Sequence, residues 1–328
     1  MEPRIAIEAR ETAAGARRQL VTCAPILGEL ARRLRAAPPP LVVTCARGSS
    51  DHAATYGKYV LETMAGNLVA SVGPSVASMY HRAPVGLTNA LFIAVSQSGK
   101  SPDVLKLTDA AKRGGALVVG IVNDEASPLA GHCDLVLPIC AGEERAVAAT
   151  KSFLLSGLAF VQLAAAWTGD ATLVDAVARA PDAFDAACEA PWDLTPLATA
   201  TGLYVVGRGV GLGAAQELAL KLKETCRLHA EAFSTAEVLH GPVALVRDGF
   251  PIVAIEQADQ TAAATRDVLA KLAALGATVH RCPPVDAPAL LAPLCQVQSF
   301  YLGVSALAAA RGLDADAPAH LTKVTETL

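Results

Sequence analysis

Three stretches of this 328-residue chain recur in its second half at almost one spacing, and nothing else in it restricts the fold as much. Leu41-Val42-Val43-Thr44-Cys45-Ala46-Arg47-Gly48 meets Tyr204-Val205-Val206-Gly207-Arg208-Gly209 at its Arg-Gly, 161 residues on. Ile93-Ala94-Val95-Ser96-Gln97 meets Val253-Ala254-Ile255-Glu256-Gln257 after 160 residues, and Gly115-Ala116-Leu117-Val118-Val119 meets Gly276-Ala277-Thr278-Val279-His280 after 161. Each match is short, but three at one offset mark a duplication. The chain is two copies of one unit.

Within each copy, short Val/Ile/Leu runs alternate with helical stretches, the pattern of parallel strands joined by crossover helices. The expected fold class is α/β: two tandem duplicated, doubly wound parallel-sheet domains of flavodoxin-like type. The expected division is a helical lead-in over 1–36, a first domain over 37–168 and a helical linker over 169–198. A second domain over 199–312 and a tail over 313–328 follow. The linker carries Pro181, Pro191 and Pro196 in an otherwise helix-prone stretch, so it is structured rather than disordered. In such folds ligands bind outside the carboxyl ends of the strands.

One of those ends has the composition of a phosphate cradle. The apolar run Leu91-Phe92-Ile93-Ala94-Val95 stops at Ser96-Gln97-Ser98-Gly99-Lys100-Ser101-Pro102-Asp103. Ser101 suits a helix N-cap, Pro102 the first helical position, and Asp103 the positive helix end. Hydroxyls and unpaired N–H groups then converge where an anion binds. The stretch also fits a relaxed nucleotide P-loop, but it lacks that pattern's first glycine, and Pro102 starts the helix after Lys100. An ordinary polar turn is the bland alternative. The second copy has Glu256-Gln257-Ala258 at the matching place, so only the first copy is expected to hold phosphate.

Composition narrows the partners. A net charge of −4 offers no basic face for nucleic acid or an anionic membrane. The eight cysteines (Cys23, Cys45, Cys133, Cys140, Cys188, Cys226, Cys282, Cys295) are scattered without a CxxC pair, which points to reduced core thiols in a cytoplasmic protein. The N-terminus has no apolar export signal, and the apolar run from Phe153 to Trp167 is too short to cross a bilayer and reads as a buried helix. No metal and no cofactor are expected. Gly209, Gly211 and Ala214 touch the dinucleotide fingerprint, but no acidic residue ends a strand about 20 residues later, as the ribose contact requires.

Chemistry-bearing residues gather in the second copy. In Gln216-Glu217-Leu218-Ala219-Leu220-Lys221-Leu222-Lys223-Glu224-Thr225-Cys226, Glu217, Lys221 and Glu224 share a helix face. A solvated salt-bridged face is the ordinary meaning of that spacing. Glu237-Val238-Leu239-His240-Gly241-Pro242 places an imidazole at an abrupt turn; Glu237 and His240 have metal-ligand spacing but no third ligand. Lysine is scarce, nine against eighteen arginines, which makes Lys323 in the tail more noticeable, although a frayed solvated tail is its bland meaning.

These blocks resemble the SIS (sugar isomerase) family, namely the isomerase half of glucosamine-6-phosphate synthase and its stand-alone deaminase-type relatives. The matching residues are Ala46 to Ser50, Ser96 to Asp103, Gly142 to Phe153, Leu220 to Glu224, His229 to Ala232, Glu237 to Pro242, and the tail around Lys323. The resemblance implies that Ser50, Ser96, Gln97, Ser98 and Ser101 hold a sugar phosphate, with Gly48, Ser49, Val147 and Ala148 lining the pocket. It implies Glu224 as the base that moves a proton between C1 and C2, and Lys221 as its helper. His240 becomes the ring-opening acid/base, contributed across a homodimer interface, and Lys323 the lysine that engages the open-chain carbonyl. The chemistry suits these residue types: a carboxylate for the carbon acid, an imidazole that gives and takes a proton near neutrality.

The chain departs from the synthase in having Glu2 and a short lead-in where the synthase carries a glutamine-hydrolysing domain, and its Lys100-Ser101-Pro102-Asp103 ending is closer to the stand-alone members. The expected activity is therefore glucosamine-6-phosphate deamination. A related aldose–ketose isomerase, a galactosamine-6-phosphate deaminase or a fructosamine-6-phosphate deglycase is the near alternative, and a non-catalytic sugar-phosphate sensor the distant one.

Overall fold

A computed structural model describes residues 2–323. In chain order the elements are α1 (Arg4–Arg10), α2 (Thr12–Ala36), β1 (Val42–Cys45), α3 (Ser49–Val60), β2 (Val69–Ser71), α4 (Ser75–Ser78), β3 (Leu91–Ser96), α5 (Pro102–Arg113), β4 (Leu117–Val122), α6 (Pro128–His132), β5 (Leu135–Pro138) and α7 (Lys151–Thr168). They continue as α8 (Ala171–Cys188), β6 (Gly202–Gly207), α9 (Gly211–Cys226), β7 (His229–Ser234), β8 (Pro251–Ala254), α10 (Ala262–Ala274), β9 (Thr278–Arg281) and α11 (Ala292–Ala310). Residues 324–328 of the expected tail, and Met1, lie outside the described residues.

The chain forms two compact units. One comprises Ala14–Glu144 and Lys151–Ala178; the other comprises residues 2–13, Arg145–Thr150 and Arg179–Lys323. In the first, β2-β1-β3-β4-β5 form an all-parallel sheet; in the second, β7-β6-β8-β9 do the same.

The duplication extends to register. Val43 pairs with Phe92 and Phe92 with Val118; at the spacings read from the sequence these become Tyr204 with Ile252 and Ile252 with Val279, which are the observed pairs. A one-residue slip would turn every inward side chain outward, so identical register means identical faces. The first copy adds β5, which has no counterpart strand in the second sheet among the described residues.

Each sheet has its own core. Phe92, Val118, Leu107 and Val104 meet between strands and α5 in the first unit; Tyr204, Ile252, Leu269 and Leu272 do so with α10 in the second. α7 is the expected buried helix: it is apolar on nearly every side and buried from Lys151 to Ala165. It packs on α3 where Gly57 faces the Phe160 ring so closely that a Cβ would sit 2.3 Å from Phe160 Cγ. No helix among the described residues is long and apolar enough to cross a membrane. All eight cysteines are free thiols.

Candidate active site

In the first unit, adjacent parallel strands β1 and β3 end beside one another, and each runs into a helix start. Gly48 turns the chain with φ +55°, so that Ser49 and Ser50 begin α3. After β3, Ser96 Oγ accepts the Gly99 N–H at 3.0 Å, and Ser98 Oγ accepts the Lys100 N–H at 3.4 Å. Gly99 has φ +62° and no room for a side chain: a Cβ would lie 2.2 Å from Ser127 Oγ. Ser101 takes the N-cap position and Pro102 the first turn, but the Ser101 hydroxyl makes no cap bond to α5. This corrects the expectation from the sequence pattern, which suited that hydroxyl to capping the helix.

A buried acid ties the two loops together. Asp103 is fully buried and accepts Arg47 Nε at 2.8 Å and Arg47 Nη2 at 2.7 Å, while its other oxygen accepts the Val104 N–H at 2.8 Å. Arg47 precedes Gly48, so this pair links the α3 start to the α5 start. Two helix N-termini and the serine hydroxyls on one sheet end form a surface suited to an anion. Gly48, Ser49, Ser50, Ser96, Gln97, Ser98 and Ser101 thus all lie on the strand ends of one unit.

At the matching end of the second sheet the polar side chains are engaged with neighbours of their own unit. Gln257 Nε2 donates to Arg208 O at 2.7 Å, closing the Gly-rich turn after β6. Glu256 sits where the first copy has Ser96 and pairs with Arg281 at 3.1 Å. A carboxylate there disfavours a second phosphate.

The second unit holds the titratable cluster. On α9, Lys221 Nζ donates to Glu224 Oε2 at 2.7 Å and lies 3.4 Å from Glu217 Oε1. Tyr301 on α11 donates its hydroxyl to the same Glu217 oxygen at 2.8 Å. Spacing alone suggested a solvated face; instead the Lys221 and Glu217 side chains are 1% and 0% exposed, and only Glu224, at 19%, retains an open side. Burial alone would push the Lys221 ammonium down, but Glu217 and Glu224 override it, and its pKa is raised. The result is a locked ammonium behind one accessible carboxylate.

Val147 and Ala148 lie in the irregular segment Arg145–Thr150 of the same unit, and Lys323 Nζ donates to Ala146 O at 2.6 Å. The tail lysine is therefore seated on the candidate pocket loop. His240 follows the short 3₁₀ turn Glu237–Leu239, and Gly241 beyond it adopts φ +133°. The imidazole is exposed, beside exposed Leu239 and Leu245. Tyr204 donates to Pro242 O at 2.9 Å, which pins the turn that carries it.

Sequence reasoning missed Arg47 and Asp103 as the tie between the loops, and Tyr301 and Glu8 altogether. Arg47 and Asp103 each lay in a matching block; Tyr301 and Glu8 stand far in sequence from their partners and left no local signal.

The comparisons with known proteins agree with this architecture. The SIS domain family matches residues 40–166 and 197–281, and the chain belongs to that family. It is 33% identical to the glutamine–fructose-6-phosphate aminotransferase (isomerizing) of Aeropyrum pernix over 84% of this chain and 49% of that protein. The enzyme of the same name from Symbiobacterium thermophilum is 32% identical, over 93% of this chain and 54% of that one. The chain thus spans about half the length of these curated relatives. Among solved structures, a protein described as a candidate phosphosugar isomerase from Silicibacter pomeroyi superposes with a TM-score of 0.91 at 42% identity, covering 96% of this chain and all (100%) of that one. A glucosamine-6-phosphate deaminase from Thermotoga maritima shares the fold at a TM-score of 0.73 and 23% identity, covering 95% and 100% of the two chains.

Proposed function

We propose that this chain deaminates an amino-sugar 6-phosphate, taking glucosamine 6-phosphate and water to fructose 6-phosphate and ammonia. The observation that supports this most is the buried Glu217–Lys221–Glu224 cluster with one accessible carboxylate. A sensor would need only the serine cradle; a carboxylate with one open side, backed by a buried ammonium, is the equipment of proton transfer at carbon.

On this reading Ser50, Ser96, Gln97, Ser98 and Ser101 grip the phosphate, and Gly48, Ser49, Val147 and Ala148 line the sugar. His240 opens the pyranose by giving a proton to the ring oxygen and taking one from the C1 hydroxyl. Its exposure beside Leu239 and Leu245 suits delivery to a second copy of the chain in a homodimer. Glu224 then removes the C2 proton of the open-chain aldehyde and returns it to C1. With the C1 oxygen gaining a proton and the amine losing one, the C2–N bond becomes a C2=N imine, which water hydrolyses to the ketose and ammonia. Lys221 steadies Glu224 between these states, and Lys323 engages the open-chain carbonyl. Phosphate binding supplies remote energy for alignment. The curated relatives carry fructose 6-phosphate in their names, which is the product here.

The test is incubation of the purified chain with glucosamine 6-phosphate, following fructose 6-phosphate and ammonia together. Equal release of both is expected. Binding without release would replace deamination by another reaction on a ketose or aldose 6-phosphate. Neither binding nor release would remove the reading.

A further inference from the structure

The short N-terminal helix α1 reaches the candidate pocket loop through one side chain. Glu8 is only 6% exposed. Its Oε1 accepts the N–H groups of Arg145 at 2.6 Å and Ala146 at 3.2 Å, and its Oε2 also lies 3.2 Å from the Ala146 N–H. On the other side of the Ala146 residue, its carbonyl accepts Lys323 Nζ at 2.6 Å. The segment Arg145–Thr150 is neither helix nor strand, so no ladder satisfies these backbone groups.

α1 is itself clamped. Its first N–H groups, those of Arg4 and Ile5, donate to the Asp316 carboxylate at 2.6 and 2.9 Å, and Gln298 Nε2 donates to Ala9 O at 3.1 Å. Glu8 is thereby fixed on a held helix before it holds anything else. Burying a carboxylate is costly, and a neutral acceptor would anchor a loop at lower cost. A charge placed on peptide N–H groups makes shorter, stronger bonds, and here it fixes the residue whose own carbonyl meets a cation. That cation is Lys323.

We propose that Glu8 is a positioning residue for substrate binding: it presets the backbone leading into Val147 and Ala148 and the carbonyl seat of Lys323. The proposal rests on the reading of Val147 and Ala148 as sugar-pocket residues given above. A preset loop spares the ligand the ordering of that segment, so losing Glu8 weakens binding more than it slows chemistry.

The experiment compares wild type, Glu8→Gln and Glu8→Ala by amide hydrogen exchange, by calorimetric titration with fructose 6-phosphate, and by turnover of glucosamine 6-phosphate. Glu8→Ala is expected to speed exchange at Arg145 and Ala146 and to raise both Kd and KM about tenfold, the worth of one charge-assisted hydrogen bond, with kcat little changed. Glu8→Gln keeps one acceptor oxygen and is expected to fall between the two. Faster exchange with unchanged Kd would reduce Glu8 to a structural anchor, and unchanged exchange would remove its hold on the loop; either overturns the proposal. If wild type binds fructose 6-phosphate but releases no ammonia, the deaminase reading fails alone, because exchange and Kd still decide the role of Glu8. If wild type binds no sugar phosphate, both fail.

Discussion

The hydroxyl of Tyr301 donates to Glu217 Oε1 at 2.8 Å, and the Lys221 ammonium lies 3.4 Å from that same oxygen. A phenol on α11 therefore shares the carboxylate that backs the candidate catalytic lysine. Removing the two donors should have unequal effects. Tyr301→Phe keeps the ring and loses one buried hydrogen bond, so it is expected to cost about 1–2 kcal/mol. Lys221→Met leaves the buried Glu217 charge without its counter-ion and is expected to cost about 3–5 kcal/mol. Urea denaturation of the two variants measures both, and the reverse order would mean that Glu217 is held chiefly by Tyr301.

Glu224 has the open side of the cluster, so Glu224→Gln separates binding from chemistry. Turnover of glucosamine 6-phosphate is expected to fall by at least about a hundredfold, the usual worth of a positioned acid–base group. Calorimetry should still find fructose 6-phosphate bound. Turnover at the wild-type rate would take Glu224 out of the reaction.

The cradle is tested from two directions. Ser98→Ala with Ser101→Ala removes two proposed phosphate hydrogen bonds, each worth roughly 1–2 kcal/mol, and should raise KM steeply while the fold survives. Gly99→Ala puts a Cβ 2.2 Å from Ser127 Oγ at a backbone angle of φ +62°. The loop must shift, so KM should rise even though no phosphate ligand has been removed. If KM holds in both variants, phosphate binds elsewhere.

Stability should fall on the alkaline side earlier than lysine titration would cause. Burial pushes the thiols of Cys23, Cys133 and Cys282 up to about 12. In the unfolded chain they ionise near about 8.5. Between those limits the unfolded state releases protons that the folded state keeps, so the stability present below pH ~8.5 declines as pH rises toward 12. Denaturation midpoints measured across that range check this, and a flat profile would show the thiols to be open to water.

Much of the architecture was legible because duplication repeats strand patterns, and pleated strands have a period of two. The offsets near 160 residues carried the pairing of Tyr204 with Ile252 and of Ile252 with Val279. The α7 helix was readable from its unbroken apolar character. Spacing placed Glu217, Lys221 and Glu224 on one face but not in the interior, because burial depends on what packs over a helix. Here that includes Tyr301, 84 residues from Glu217. Glu8 was invisible for the same reason, its partner Arg145 standing 137 residues away. The hydroxyl of Ser101 differed in the other direction: a residue type suited to capping does not cap where it sits.

Ser96 in one copy and Glu256 in the other stand at equivalent strand ends, and if the proposed site roles hold, the difference between them makes affinity and rate separable properties. On the proposed reading, a duplicated chain of this kind can change its grip through one half and its chemistry through the other. Substitutions after β3 should move how tightly a phosphorylated sugar is held, and those on α9 what becomes of its carbon skeleton. Selection acting on a new sugar and selection acting on a new reaction would then leave their marks in different halves of the gene.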